Sequence, residues 1–238
     1  MTRKAPKAQK QESTAKRPEP KVKRSLVFLF AAVFLLLAFI AGALIYKSEK
    51  SDTAVQAYQR NKSTFVREHS PALGNPGAKV EIVEFLDPAC ETCRSFSPFV
   101  KKLMADNPDK IRLFVRYAPF HQGSDYVVKM LEAAKKQGKF WETLDAVFAA
   151  QPSWAPHHNP QPQMVWNYIG GVGLDLARLR QEMNAPEIEK IIQQDLADAK
   201  TLNVKMTPEF FVNGKPMPSF GYDQLRNLVK EALAIAYR

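Results

Sequence analysis

The sequence predicts an α/β fold built around a parallel strand–helix–strand unit, carried behind one N-terminal membrane-spanning helix. Three observations predict it. An uncharged run covers residues 25–46. Two apolar runs, 79–85 and Ile111–Tyr117, flank a helical stripe. An Asn213-Gly214 turn lies late in the chain.

The run SLVFLFAAVFLLLAFIAGALIY (25–46) contains no charged residue. A helix rises 1.5 Å per residue, so roughly 20 such residues cross a hydrocarbon layer of about 30 Å. Ahead of it, residues 1–24 hold nine Lys/Arg against two Glu, so this basic tail carries +7 of the whole chain's +10. Lys/Arg-rich flanks stay on the cytoplasmic side. That predicts a single-pass protein of the inner (cytoplasmic) membrane, with a cytoplasmic N-terminus and a periplasmic or otherwise extracytoplasmic remainder. Topology explains the tail's charge, so no nucleic-acid partner is expected. Ala41-Gly42-Ala43 fits a signal-peptide cleavage site. The apolar run continues through Tyr46, which favours an uncleaved anchor; either outcome exports the rest.

Residues 47–75 are polar and mixed in charge, with Val55, Tyr58 and Phe65 spaced for a short helix. Pro71, Gly74, Pro76 and Gly77 then break the chain. The expected organisation is a spacer at 47–75 and a compact domain over 76–238. KVEIVEF (79–85) reads as a buried strand and Asp87-Pro88-Ala89 as a turn. A helix starting at or next to Cys90 places Phe96, Phe99, Val100, Leu103 and Met104 on one stripe, with a kinking Pro98 inside. IRLFVRY (Ile111–Tyr117) is the second strand, completing a βαβ unit with a right-handed crossover.

Residues 123–204 read as mostly helical. Phe140, Leu144, Val147 and Phe148 make one stripe, and Leu174, Leu179 and Met183 another. Ile188, Ile191, Ile192 and Leu196 line a long helix that begins near Pro186. Phe210-Phe211-Val212 is strand-like, Asn213-Gly214 is a hairpin turn, and Leu225, Leu228, Val229 and Leu233 close the chain with a helix.

The chemistry sits at Cys90-Glu91-Thr92-Cys93, the chain's two cysteines. Residues three apart on a helix lie about 5–6 Å from each other, within the roughly 4.4–6.8 Å that a disulfide spans. At a helix start, unpaired N–H groups favour negative charge, so Cys90 is the expected attacking thiolate and Cys93 the resolving thiol. A closed zinc site needs about four ligands and a disulfide scaffold more cysteines, so no metal is expected. Spacing alone still leaves half a metal site or an inert bridge open.

VEFLDPACETCRSFSP (83–98) resembles the active site of the thioredoxin superfamily, and TPEFFVNGK (207–215) resembles that superfamily's cis-proline strand. The helical insertion, about 123–204, is similar to that of DsbA-like proteins. The resemblance covers 76–238 and implies a thioredoxin-like fold acting as a protein-disulfide oxidoreductase without a dissociable cofactor. It implies that Glu84 is a buried acid relaying protons to Cys93, and that Thr207 and a cis Pro208 present backbone to a substrate peptide. The implied partners are cysteine-containing exported proteins and a DsbB-like or DsbD-like membrane redox protein.

Glu91 and Thr92 replace the Pro-His of strongly oxidising relatives. A carboxylate beside the thiolate is expected to raise the Cys90 pKa and make a milder oxidant; Thr207 points the same way. Direction (oxidase, isomerase or reductase) stays open. So do a chaperone-like assembly factor and a copper-handling dithiol protein. His121 and His157-His158 read as loop residues, Trp141 and Trp166 as core. Arg116 reads as a strand-end residue near the active face, without a role.

Overall fold

The computed structural model describes residues 24–238. The chain divides into two compact units, Met1–Glu49 and Lys50–Arg238. Helix α1 (Arg24–Arg60) supplies the described part of the first; its stretch Phe28–Tyr46 is fully exposed and long and apolar enough to cross a membrane. The basic tail 1–23 lies outside the described residues.

In the second unit, α2 (Lys62–Phe65) and β1 (Ala72–Gly74) lead into β2 (Val80–Leu86), α3 (Glu91–Ala105) and β3 (Ile111–Tyr117). The insertion follows as α4 (Ser124–Lys136), α5 (Phe140–Trp154), three short 3-10 turns, α6 (Leu176–Glu182) and α7 (Pro186–Thr201). Strands β4 (Glu209–Val212) and β5 (Lys215–Pro216) and helix α8 (Tyr222–Ala236) complete it.

The sheet order is β1-β3-β2-β4-β5. β2 and β3 run parallel, as the βαβ reading requires, and the other neighbours are antiparallel. β2 is central and nearly all buried, which is why its sequence VEIVEFL is apolar apart from Glu81 and Glu84. Asn213 and Gly214 join β4 to β5 with φ +47° and +78°, the positive pair that a two-residue hairpin needs.

Side-chain alternation sorts the core. Val80, Ile82, Ile111, Leu113, Phe210 and Val212 face α3 and α8, against Phe96, Val100 and Leu225. Val83, Phe85, Phe114 and Phe211 face Tyr58, Phe65 and Ala199. A third cluster, centred on the fully buried Trp154, binds α4–α7 to Leu86, Val115 and Tyr117 at the strand ends.

The stretch 47–75 is more than a spacer. Tyr58 and Phe65 are buried, Arg67 forms a bidentate pair with Asp198 of α7 at 2.8 Å, and β1 pairs with β3. Its polar composition hid this, because among its described residues only Tyr58, Phe65, Ser70 and Pro71 are buried, while Lys62, Arg67 and His69 make ion pairs to residues far along the chain. The fold therefore begins ahead of residue 76.

Candidate functional site

β2 ends at Leu86, and the turn Asp87-Pro88-Ala89 delivers Cys90 as the N-cap of α3. The turn is held by the Asp87 backbone carbonyl, which accepts from Cys90 N–H at 3.0 Å. It is also held by the Asp87 carboxylate, which accepts from Ala89 N–H at 2.8 Å. That fully buried carboxylate also takes His121 N–H and faces His121 Nδ1, both at 2.8 Å, and accepts from Ser124 Oγ. One aspartate thus ties the turn to the start of α4.

Cys90 and Cys93 are both free thiols, 4 % and 0 % exposed. Cys93 N–H donates to Cys90 Sγ at 3.4 Å, a capping bond made by sulfur. Cys90 is pushed down from 9.0 to about 5. The largest cause is the Cys93 thiol donating to its sulfur; the Thr207 side chain and the Cys93 and Thr92 N–H groups add to it, against burial. Cys93 goes the other way, well above its ordinary value. Burial is the main cause, then its bond to Cys90 and the charges of Cys90 and Glu84. Of the two sulfurs, Cys90 is therefore the more acidic and Cys93 the one that holds its proton more tightly.

Glu91 is in the first turn of α3 but is not among the groups that move Cys90. The net shift on Cys90 is downward, set by the donors that touch its sulfur.

Glu84 lies on β2 in register with Val115 and Phe210. It is 3 % exposed, and its Oε1 is buried without a hydrogen-bond partner. Burial first, then the charge of Cys90, raises it from 4.5 to about 8. The Thr207–Pro208 bond is cis, and the Thr207 carbonyl lies 3.2 Å from Cys90 Sγ. The structure thus brings Cys90, Cys93, Glu84, Thr92, Thr207 and Pro208 to one place.

Arg116 is elsewhere. It is fully buried on the opposite sheet face, with Nη2 at 2.7 Å from Asp195 and 2.6 Å from Asp198, and Nη1 donating to the Thr64 and Phe65 carbonyls at 2.9 Å. Alternation turns it away from the cysteines, since its β2 neighbour is Phe85 and not Glu84. Trp141 and Trp166 are partly buried rather than central; their indole N–H groups reach the Ala72 carbonyl at 3.3 Å and the Tyr126 hydroxyl at 2.9 Å. No group of three or more His, Cys, Asp or Glu suited to a metal occurs among the described residues.

Two site residues escaped the sequence reading. Asp87 was visible only as a turn residue. Gln151 lies on α5 and is 1 % exposed. It donates to the Pro88 carbonyl at 2.8 Å and to the Cys90 carbonyl at 3.0 Å. Its signal was available: a glutamine seven residues after Leu144 falls on the apolar stripe, where an uncharged polar residue needs a partner.

The family model described as Thioredoxin matches residues 67–231. The fold aligns with a thioredoxin-like oxidoreductase from Silicibacter pomeroyi DSS-3 at TM-score 0.64 and 32% identity, covering 73% of this chain and 98% of that one. BdbD from Bacillus subtilis shares the fold at TM-score 0.63 and 22% identity, over 71% and 95% of the two chains. In sequence, disulfide bond formation protein D of Bacillus subtilis (strain 168) is 25% identical over 199 residues, 79% of this chain and 85% of that protein. The Na(+)/H(+) antiporter NhaA of Herminiimonas arsenicoxydans is 31% identical over 142 residues, 60% of this chain. The match spans only 22% of that antiporter.

Proposed function

The chain belongs to the thioredoxin family, and on that premise we propose that it oxidises dithiols of exported proteins through a Cys90–Cys93 disulfide. The observation that carries this is the split between the two sulfurs: Cys90 is lowered to about 5 while Cys93 is raised. Ionising Cys90 at pH 7 instead of an ordinary thiol stabilises the reduced state by about 2.7 kcal/mol. For a two-electron couple that is an oxidising shift of about 60 mV.

In the proposed cycle a substrate thiolate attacks Cys90 Sγ of the disulfide. The Cys90–Cys93 bond breaks, and the Cys93 sulfur leaves with the electron pair and takes a proton from Glu84. The second substrate thiolate then attacks the substrate sulfur of the mixed disulfide and expels Cys90 as thiolate. Two electrons pass from substrate to enzyme, and a disulfide of a membrane redox partner takes them on. Thr207 and Pro208 border the sulfur where an extended peptide would pair with backbone. The helix containing Phe28–Tyr46 would anchor the enzyme, with its N-terminus cytoplasmic, and raise its local concentration near such a partner.

The test is oxidation of a dithiol peptide by the purified chain. Given a disulfide-bearing peptide, Cys93→Ser should accumulate a mixed disulfide on Cys90, the thiolate attacking one peptide sulfur and releasing the other; Cys90→Ser should form none and should not oxidise the dithiol peptide. The couple's potential should lie above that of thioredoxin, about −270 mV, by roughly 60 mV, and below that of DsbA, about −120 mV. Retained peptide oxidation by Cys90→Ser would reject the reading.

A further inference from the structure

We propose that Gln151, supplied by α5 of the insertion, is a positioning residue that holds the backbone on both sides of Cys90 in its working geometry. The inference rests on the thiol–disulfide reading and deepens it.

The Gln151 carboxamide is used at both ends. Nε2 donates to the Pro88 carbonyl at 2.8 Å and the Cys90 carbonyl at 3.0 Å. Oε1 accepts from Arg94 Nε at 3.0 Å. Arg94 is donor-only, so it fixes which end of the amide faces the turn. Pro88 is buried, and its carbonyl would otherwise lack the partner that buried backbone requires.

The Cys90 carbonyl also accepts from Arg94 N–H at 3.2 Å, so its peptide plane is gripped from two directions. That plane sets where the first N–H groups of α3 point, and those of Thr92 and Cys93 act on the Cys90 sulfur. Asp87 holds the same turn to α4, but through Ala89 and not through the Cys90 carbonyl. Gln151 is therefore the insertion's grip on the residue that reacts.

Gln151→Met keeps length and volume but cannot donate. Gln151→Glu keeps the shape and, ionised beside Arg94, cannot donate and adds a charge. Both are made in the full chain, purified in detergent micelles and compared with the unaltered protein by the pH dependence of iodoacetamide labelling, by reduction potential and by peptide oxidation. Loss of about one hydrogen bond's worth of alignment should raise the labelling midpoint of Gln151→Met by about one pH unit, roughly tenfold less thiolate below the midpoint. Gln151→Glu should shift further, and both potentials should fall. A residue that merely packs would change melting temperature without moving midpoint or potential, and that result in Gln151→Met overturns the proposal. If Gln151→Met does not fold, an unchanged midpoint in Gln151→Glu overturns it equally. Should the unaltered protein oxidise no peptide, the functional reading fails; an active unaltered protein beside an unmoved Gln151→Met removes this inference alone.

Discussion

Replacing Glu84 by glutamine should change how the stability of the reduced protein depends on pH. Glu84 is raised from 4.5 to about 8 in the fold, so between those values the native state binds a proton that the unfolded chain has lost. Stability then falls by about 1.4 kcal/mol per pH unit. Cys90 is lowered from 9.0 to about 5, so over its window the unfolded chain binds the extra proton and stability rises by the same slope, about 1.4 kcal/mol per unit. The windows overlap between about pH 5 and 8, where the two slopes cancel and the unaltered protein should be nearly flat.

Glu84→Gln leaves the rising slope alone, a gain of about 4 kcal/mol across the overlap. Cys90→Ser leaves the falling one, over a narrower range, because part of the shift on Glu84 comes from the Cys90 charge. Urea unfolding of residues 50–238 under reducing conditions, at several pH values, measures all three. Differences between variants remove the titrations they share. If Glu84→Gln ran parallel to the unaltered protein from pH 5 to 8, Glu84 would be ionising as an ordinary surface carboxylate and its assignment as proton donor would fall.

The ultraviolet absorbance of thiolate in the reduced protein should rise in one step near pH 5 and again only well above 9; a single two-thiol step near 9 would show no division of labour between the sulfurs. Arg116→Met should cost about 3–5 kcal/mol, because it removes the buried cation shared by Asp195 and Asp198 and leaves Asp198 to Arg67 and Asp195 to His69 and the Tyr117 N–H. A loss in urea unfolding below about 1 kcal/mol would mean that the pairs do not need their cation.

The βαβ unit was legible because its signals are local: an apolar run, a two-cysteine step, a helical stripe and a second run. The Asn213-Gly214 hairpin was legible for the same reason, since positive φ at both turn positions selects those residues. What stayed hidden depends on partners far along the chain. Arg116 meets Asp195 and Asp198 only when α7 packs on β3, and nothing around residue 116 announces that. The three-residue β1 is too short to carry alternation. The low Cys90 pKa was not legible in the residues between the cysteines, because it is set by the Cys93 thiol first and by donors that only the folded turn brings to the sulfur.

The seating of Tyr58 bears on where the folded unit tolerates a break in the chain. Its ring fills the place that any side chain at Gly214 would occupy, and its hydroxyl donates to Glu81 at 2.5 Å. A cut ahead of residue 58 should leave the contacts of Tyr58, Phe65 and Arg67 in place. A cut after Arg67 would instead sever the link from α2 and Arg67 to the folded body and leave the Asp198 pocket short of a cation.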